Sequence, residues 1–180
     1  QEGDLTNCGP TAAAILVSAY QGITASRKQH RLRDTLGRWS WGRFPLRSWH
    51  LPGRDPGMIT PTMMQAMLTR FGQPTRYPEL VPDTWARGED AMGSLHRVLA
   101  QRRPVVVLVE SPILWRTDRP GLHWIVVFAM TPDEVRYVDP WDATPRTIER
   151  ARFVSAWRLS PMYRLLPGFR AFTAFVGSRP

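Results

Sequence analysis

The chain has 180 residues, 43% of them hydrophobic, which is enough to build one core, and a single domain over residues 1–180 is expected. Its one cysteine, Cys8, excludes an internal disulfide, and its longest apolar runs, Val105 to Val109 and Ile125 to Met130, are far too short to span a bilayer, so a soluble protein with no membrane span is expected. The formal charge of +9 favours acidic partners, but Lys28 is the sole lysine and the arginines are scattered along the chain, which argues against a nucleic-acid groove.

The chain opens on Gln1 with neither an initiator methionine nor a signal-peptide pattern, and is read as a piece of something longer. Thr11 to Tyr20 is a run of good helix formers, with Ala12, Ile15, Leu16 and Ala19 spaced to share a face and Gly22 as a stop. Pro10 suits a first helical turn, so Cys8 should stand at or just before the helix N-terminus. The positive end of a helix dipole favours a thiolate, the nucleophilic form of cysteine. The alternative is that a lone cysteine is a small buried hydrophobe.

Ser26 to Leu36 reads as a polar helix anchored by Leu32 and Leu36. Gly37 to Gly57 is rich in Pro, Gly and aromatics and reads as an ordered loop. Its Trp39, Trp41 and Trp49 are assigned to one wall of a substrate cleft, the alternative being a lid over the core. Thr60-Pro61 is an N-cap followed by proline at the first helical position, opening a helix with Met63, Met64, Met67, Leu68 and Phe71. After a proline-rich connection, a helix from about Asp90 to Arg102 carries Met92, Leu95, Val98 and Leu99.

Val105 to Val109 is a β-branched run and a central strand. Ser111 to Gly121 reads as a loop bordering the cleft. His123 to Ala129 and Glu134 to Asp139 are two further strands joined by the turn Thr131-Pro132-Asp133, and Pro140 ends the second of them. Ile148 to Leu159 reads as a helix burying Phe153 and Trp157, and Phe169 to Val176 as a closing strand.

Antiparallel pairing across that turn brings positions near His123 beside positions near Asp139. A helix start carrying Cys8, packed on the same sheet, would complete a nucleophile, a base and an orienting acid. Otherwise His123 is a satisfied histidine at a strand start and Asp139 a turn residue before proline.

The segments Asn7-Cys8-Gly9-Pro10-Thr11-Ala12, Arg103-Pro104-Val105-Val106-Val107-Leu108, Leu122-His123-Trp124-Ile125-Val126-Val127 and Tyr137-Val138-Asp139-Pro140 follow one another over most of the chain. In this order they resemble the papain-like cysteine peptidases, specifically the bacterial peptidases that remove double-glycine leaders from bacteriocins. The resemblance implies an α+β papain-like fold, with the catalytic cysteine at a helix N-terminus packed on a mostly antiparallel sheet. It also implies a Cys8–His123–Asp139 triad working through a thioester on a protein or peptide substrate, without metal or cofactor. In that family a glutamine a few residues before the cysteine supplies part of the oxyanion hole; Gln1 is the only candidate, one residue further from Cys8 than usual. Trp124, beside His123, is assigned to the cleft as well.

Other readings are a glutamine or asparagine deamidase or acyl transferase on the same triad, a non-catalytic binder on the same fold, and an arginine-rich nucleic-acid module. Domains of this size and charge also resemble the toxic parts of bacterial effectors. That implies secretion or delivery, action in a reducing cytoplasm and a cognate inhibitor protein as partner.

Overall fold

The computed structural model describes residues 8–21, 59–70, 88–118, 121–166 and 168–177. Its centre is a five-stranded sheet of β1 (Val105–Glu110), β2 (Leu122–Met130), β3 (Glu134–Asp139), β4 (Thr144–Glu149) and β5 (Ala174–Val176), in the order β4-β3-β2-β1-β5. Every pairing is antiparallel. The helices are α1 (Cys8–Gln21), α2 (Pro61–Arg70), α3 (Gly88–Ala100), α4 (Ser111–Trp115), α5 (Arg150–Arg158) and α6 (Pro161–Arg164). The chain is therefore α+β, as expected.

Both faces of the sheet are covered, which is why Val105 to Val109 is an unbroken apolar run rather than an alternating one. Val105, Val107, Val109, Ile125 and Val127 point toward α3 and α5, meeting Leu95, Val98, Phe153 and Trp157. Val106, Leu108, Trp124 and Val126 point the other way, toward Ala13, Leu16 and Val17 of α1 and Met64 and Leu68 of α2.

A β-bulge in β2 governs the pairing with β3. Val127 pairs with Tyr137 but Ala129 with Arg136, leaving Phe128 as one extra residue in β2. Continued past Val126↔Val138, this register sets Asp139 beside Ile125, on the face that His123 also occupies two residues further along the strand. An unbulged pairing of the same residues would set Asp139 beside Val126, on the opposite face.

Several local expectations hold. The Met63 N–H donates to Thr60 Oγ1 at 3.2 Å, so Thr60 caps α2 with Pro61 at its first position. Others need correction. Ile148 lies within strand β4, and the helix beyond it runs only from Arg150 to Arg158, because Thr144 to Glu149 pairs along β3 as an edge strand. Pro145 is tolerated there because an edge strand leaves one side of its backbone unpaired. Ser111 to Trp115 is a short helix instead of loop, with Pro at its start and Arg116 in the left-handed region (φ 54°) ending it. The closing strand is confined to Ala174–Val176, because Phe172 turns the chain at φ 56° while its N–H donates to Trp157 O. The expected helix over 26–36 lies outside the described residues.

Candidate active site

Cys8 is the first residue of α1, half-buried, and its thiol is free. The helix start is held against the sheet by a close contact. Gly9 lies against Ile59 so tightly that a Cβ on it would stand 2.5 Å from Ile59 Cγ1. Ile59 in turn accepts a 2.9 Å hydrogen bond at its carbonyl from the indole N–H of Trp124. Trp124 follows His123 in β2, so one chain of contacts fixes Cys8 relative to His123.

His123 is 4% exposed, and its Nε2–H donates to Asp139 Oδ1 at 2.9 Å. A carboxylate only accepts, which fixes the proton on Nε2 and leaves Nδ1 as the second nitrogen of the ring, and Cys8 is near enough to act on the ring's basicity. Burial alone would lower the basicity of His123. The hydrogen bond to Asp139, the contact with Cys8 and the charges of both outweigh it and push the imidazole up to about 9.

Asp139 ends β3 with no exposure to solvent. Its Oδ1 accepts from His123 and from the backbone N–H of Trp141 at 2.9 Å. Its Oδ2 accepts from the Trp115 indole N–H at 3.2 Å and lies 3.5 Å from Arg146 Nη1. Burial alone would raise this carboxyl. The bonds from His123 and Trp141 and the charges of His123 and Arg146 hold it below the usual carboxylate range. Arg146 also binds Asp142 Oδ2 at 2.7 Å, and Asp142 accepts from the Thr144 hydroxyl and N–H, so the turn after Asp139 is tied to β4. The Trp115 ring lies against His123 with centroids 4.6 Å apart, and Trp141 meets Trp115 edge-on at 6.5 Å.

The fold thus brings Cys8, His123 and Asp139 together. Gln1, Trp39, Trp41 and Trp49 lie outside the described residues. Trp124 does not border a cleft: it is 1% exposed and packs against Phe175 in the core beneath α1. Neighbours in a strand face opposite ways, and Trp124 takes the face of β2 that α1 and α2 cover. Trp115 and Arg146 were missed, one in an expected loop and the other in an unrecognised strand. The spacing of Asp142 and Arg146 is a charge pair that the sequence offers. Among the described residues no group of three or more His, Cys, Asp and Glu side chains converges as a metal site, and no helix is long and apolar enough to cross a membrane.

The family model described as peptidase C39-like matches residues 1–161. Among solved structures, the chain is similar to a crystal structure from Bacillus anthracis assigned as a C39-like peptidase, with a TM-score of 0.61 and 12% sequence identity, covering 97% of this chain and 90% of that one. At that identity the likeness speaks for the fold alone. No curated protein sequence matches at a significant level.

Proposed function

The chain belongs to the peptidase C39-like family, and from that membership we propose that it hydrolyses peptide bonds through a Cys8–His123–Asp139 triad. The observation that carries this reading is the buried hydrogen bond of His123 Nε2 to Asp139, with Cys8 near enough to the same ring to raise its basicity.

The thiol proton of Cys8 passes to His123 Nδ1, and the sulfur attacks the carbonyl carbon of the scissile bond. The resulting oxyanion is met by the Cys8 N–H, which at the start of α1 has no acceptor within the helix, and by a second donor for which Gln1 stands as the proposal from family resemblance. The C–N bond breaks as His123 returns the proton to the leaving nitrogen, leaving a thioester. Water then attacks with His123 again taking a proton, the C–S bond breaks, and the acid product leaves. Asp139 holds the ring in the required tautomer and stabilises its charged form throughout.

Iodoacetamide at neutral pH tests the pair: rapid alkylation of Cys8 that is lost in His123→Ala supports it, and equal labelling of the two sinks it. Terminal proteomics of wild type against Cys8→Ala tests the reaction. New termini mean peptidase, whereas a one-dalton gain at glutamine or asparagine without new termini overturns it in favour of deamidation. A toxic role with a cognate inhibitor protein is a further proposal that rests on the resemblance alone. Expression of wild type and Cys8→Ala in a bacterial cytoplasm tests it, and equal growth removes it.

A further inference from the structure

We propose that Trp115 is the positioning residue of the triad: its indole N–H pins the second carboxylate oxygen of Asp139 while its ring packs against His123, so that one side chain fixes both the acid and the base. The proposal rests on the triad reading above and adds to it a group that never touches the reacting atoms.

Oδ1 of Asp139 is held by His123 and the Trp141 N–H, and a donor on Oδ2 resists rotation about the Cβ–Cγ bond that would carry Oδ1 away from His123. Among the described residues two side chains reach Oδ2, Trp115 at 3.2 Å and Arg146 at 3.5 Å. Arg146 is 37% exposed and is bound more closely, at 2.7 Å, to Asp142. Its hold on Asp139 is therefore long and open to screening by solvent. The indole N–H is a single donor with a fixed direction, set on a ring with few rotamers.

The element that carries Trp115 is itself braced. Helix α4 follows β1 directly, its Ser111 N–H donates to Gly121 O at 3.0 Å, and Arg152 of α5 donates to Leu114 O at 2.7 Å. Arg116 then closes the helix with its N–H on Pro112 O. Trp115 is thus delivered to Asp139 and His123 from an element independent of the hairpin that carries them.

Its two contacts act in the same direction. The N–H donor favours the ionised carboxylate, and the π-electrons of an indole whose centroid lies 4.6 Å from that of the imidazole favour a charged over a neutral ring. Among the described residues the other ionisable or charged groups around the pair are Cys8 from α1, Tyr137 from β3 and Arg146 from β4. None of these supplies both a donor to Asp139 and a ring against His123.

The test compares wild type, Trp115→Leu, Trp115→Phe and His123→Ala in the whole chain. It uses iodoacetamide as the probe of Cys8 and NMR of ring-labelled histidine as the probe of His123. In Trp115→Leu we expect the alkylation rate at pH 7 to fall about tenfold and the His123 midpoint to drop by about one pH unit. Trp115→Phe keeps the ring and loses the N–H, and should show a smaller change of the same sign in both. If both Trp115 variants fold, as judged by circular dichroism, and keep the wild-type rate and midpoint, the proposal is overturned. A lowered melting temperature with an unmoved midpoint also overturns it, since that is what mere packing would give. If the leucine variant fails to fold, the phenylalanine variant decides alone. Alkylation that His123→Ala leaves untouched sinks the triad reading itself, whereas loss in His123→Ala with no effect at Trp115 sinks only this proposal.

Discussion

Gly9 and Ile59 meet so closely that a methyl group on Gly9 would lie 2.5 Å from Cγ1 and 2.6 Å from Cβ of Ile59, inside any real carbon–carbon contact. Gly9 is the residue after Cys8 and Ile59 the acceptor for Trp124, so the space between them sets how far the start of α1 stands from β2. Gly9→Ala should push the two apart at an overpacking cost of about 1–3 kcal/mol. Because the strain falls beside Cys8, the alkylation rate should drop more than stability does. Urea unfolding and iodoacetamide kinetics on the same preparation check this, and an unchanged rate would dissociate Gly9 from the site.

Trp124→Phe should remove the indole donor and leave the Ile59 carbonyl buried without its partner, at a cost of about 1–3 kcal/mol. A core role also implies that cleavage-site preference is unchanged. Denaturant unfolding reads the first effect and terminal proteomics the second. A shifted preference with wild-type stability would return Trp124 to the cleft.

The ionisable pair gives a pH dependence whose sign follows from the two shifts. His123 is raised from 6.5 to about 9, so its contribution to stability is full below pH 6.5 and is lost as pH rises through about 9. Asp139 is lowered from 3.8, so its contribution is full above that value and is lost as pH falls through its lowered folded value. Between about pH 4 and 6.5 both are present. Asp139→Asn removes the largest influence raising His123, so the stability gap between wild type and variant should be widest near pH 6 and narrow by pH 9.5. Peptidase activity should fall above about 9 for the same reason, because His123 must hold a proton to release the leaving nitrogen. Unfolding at the two pH values and a pH–rate profile check these outcomes, and a gap that widens toward pH 9.5 would contradict them.

Arg146→Gln should matter little. Arg146 is 37% exposed and its contact with Asp139 is long, so the stability change should stay at or below about 1 kcal/mol. The His123 midpoint should remain near that of wild type. A large fall in alkylation rate would mean that Arg146, rather than Trp115, steadies the carboxylate.

How far the sequence disclosed this arrangement depended on the range of the interactions. Cys8 at a helix start was legible because Pro10 and the Ala12 to Val17 run are local signals, as was the Thr60 cap. The hairpin joining His123 to Asp139 was legible from β-branched strands and a short turn. Strand β4 was not, because Pro145 interrupts the β-branched Thr144, Thr147 and Ile148, and the strand forms by pairing with β3. The role of Trp115 was not legible either, because it depends on three elements meeting. Trp124 was misplaced by reading nearness in sequence as nearness in space.

The extra residue at Phe128 has a consequence for length changes in the hairpin. Because the strand already carries one residue more than its partner uses, excising Phe128 alone should let Val127 and Ala129 become neighbours over Tyr137 and Arg136 with every other pairing kept. Cys8 should then remain reactive in the shortened protein. Losing a second residue between Ile125 and Val127 leaves no slack to absorb it, and the histidine would rotate out of reach of its acid. Tolerance of the first excision and intolerance of the second would show that the hairpin is spaced with one residue in reserve.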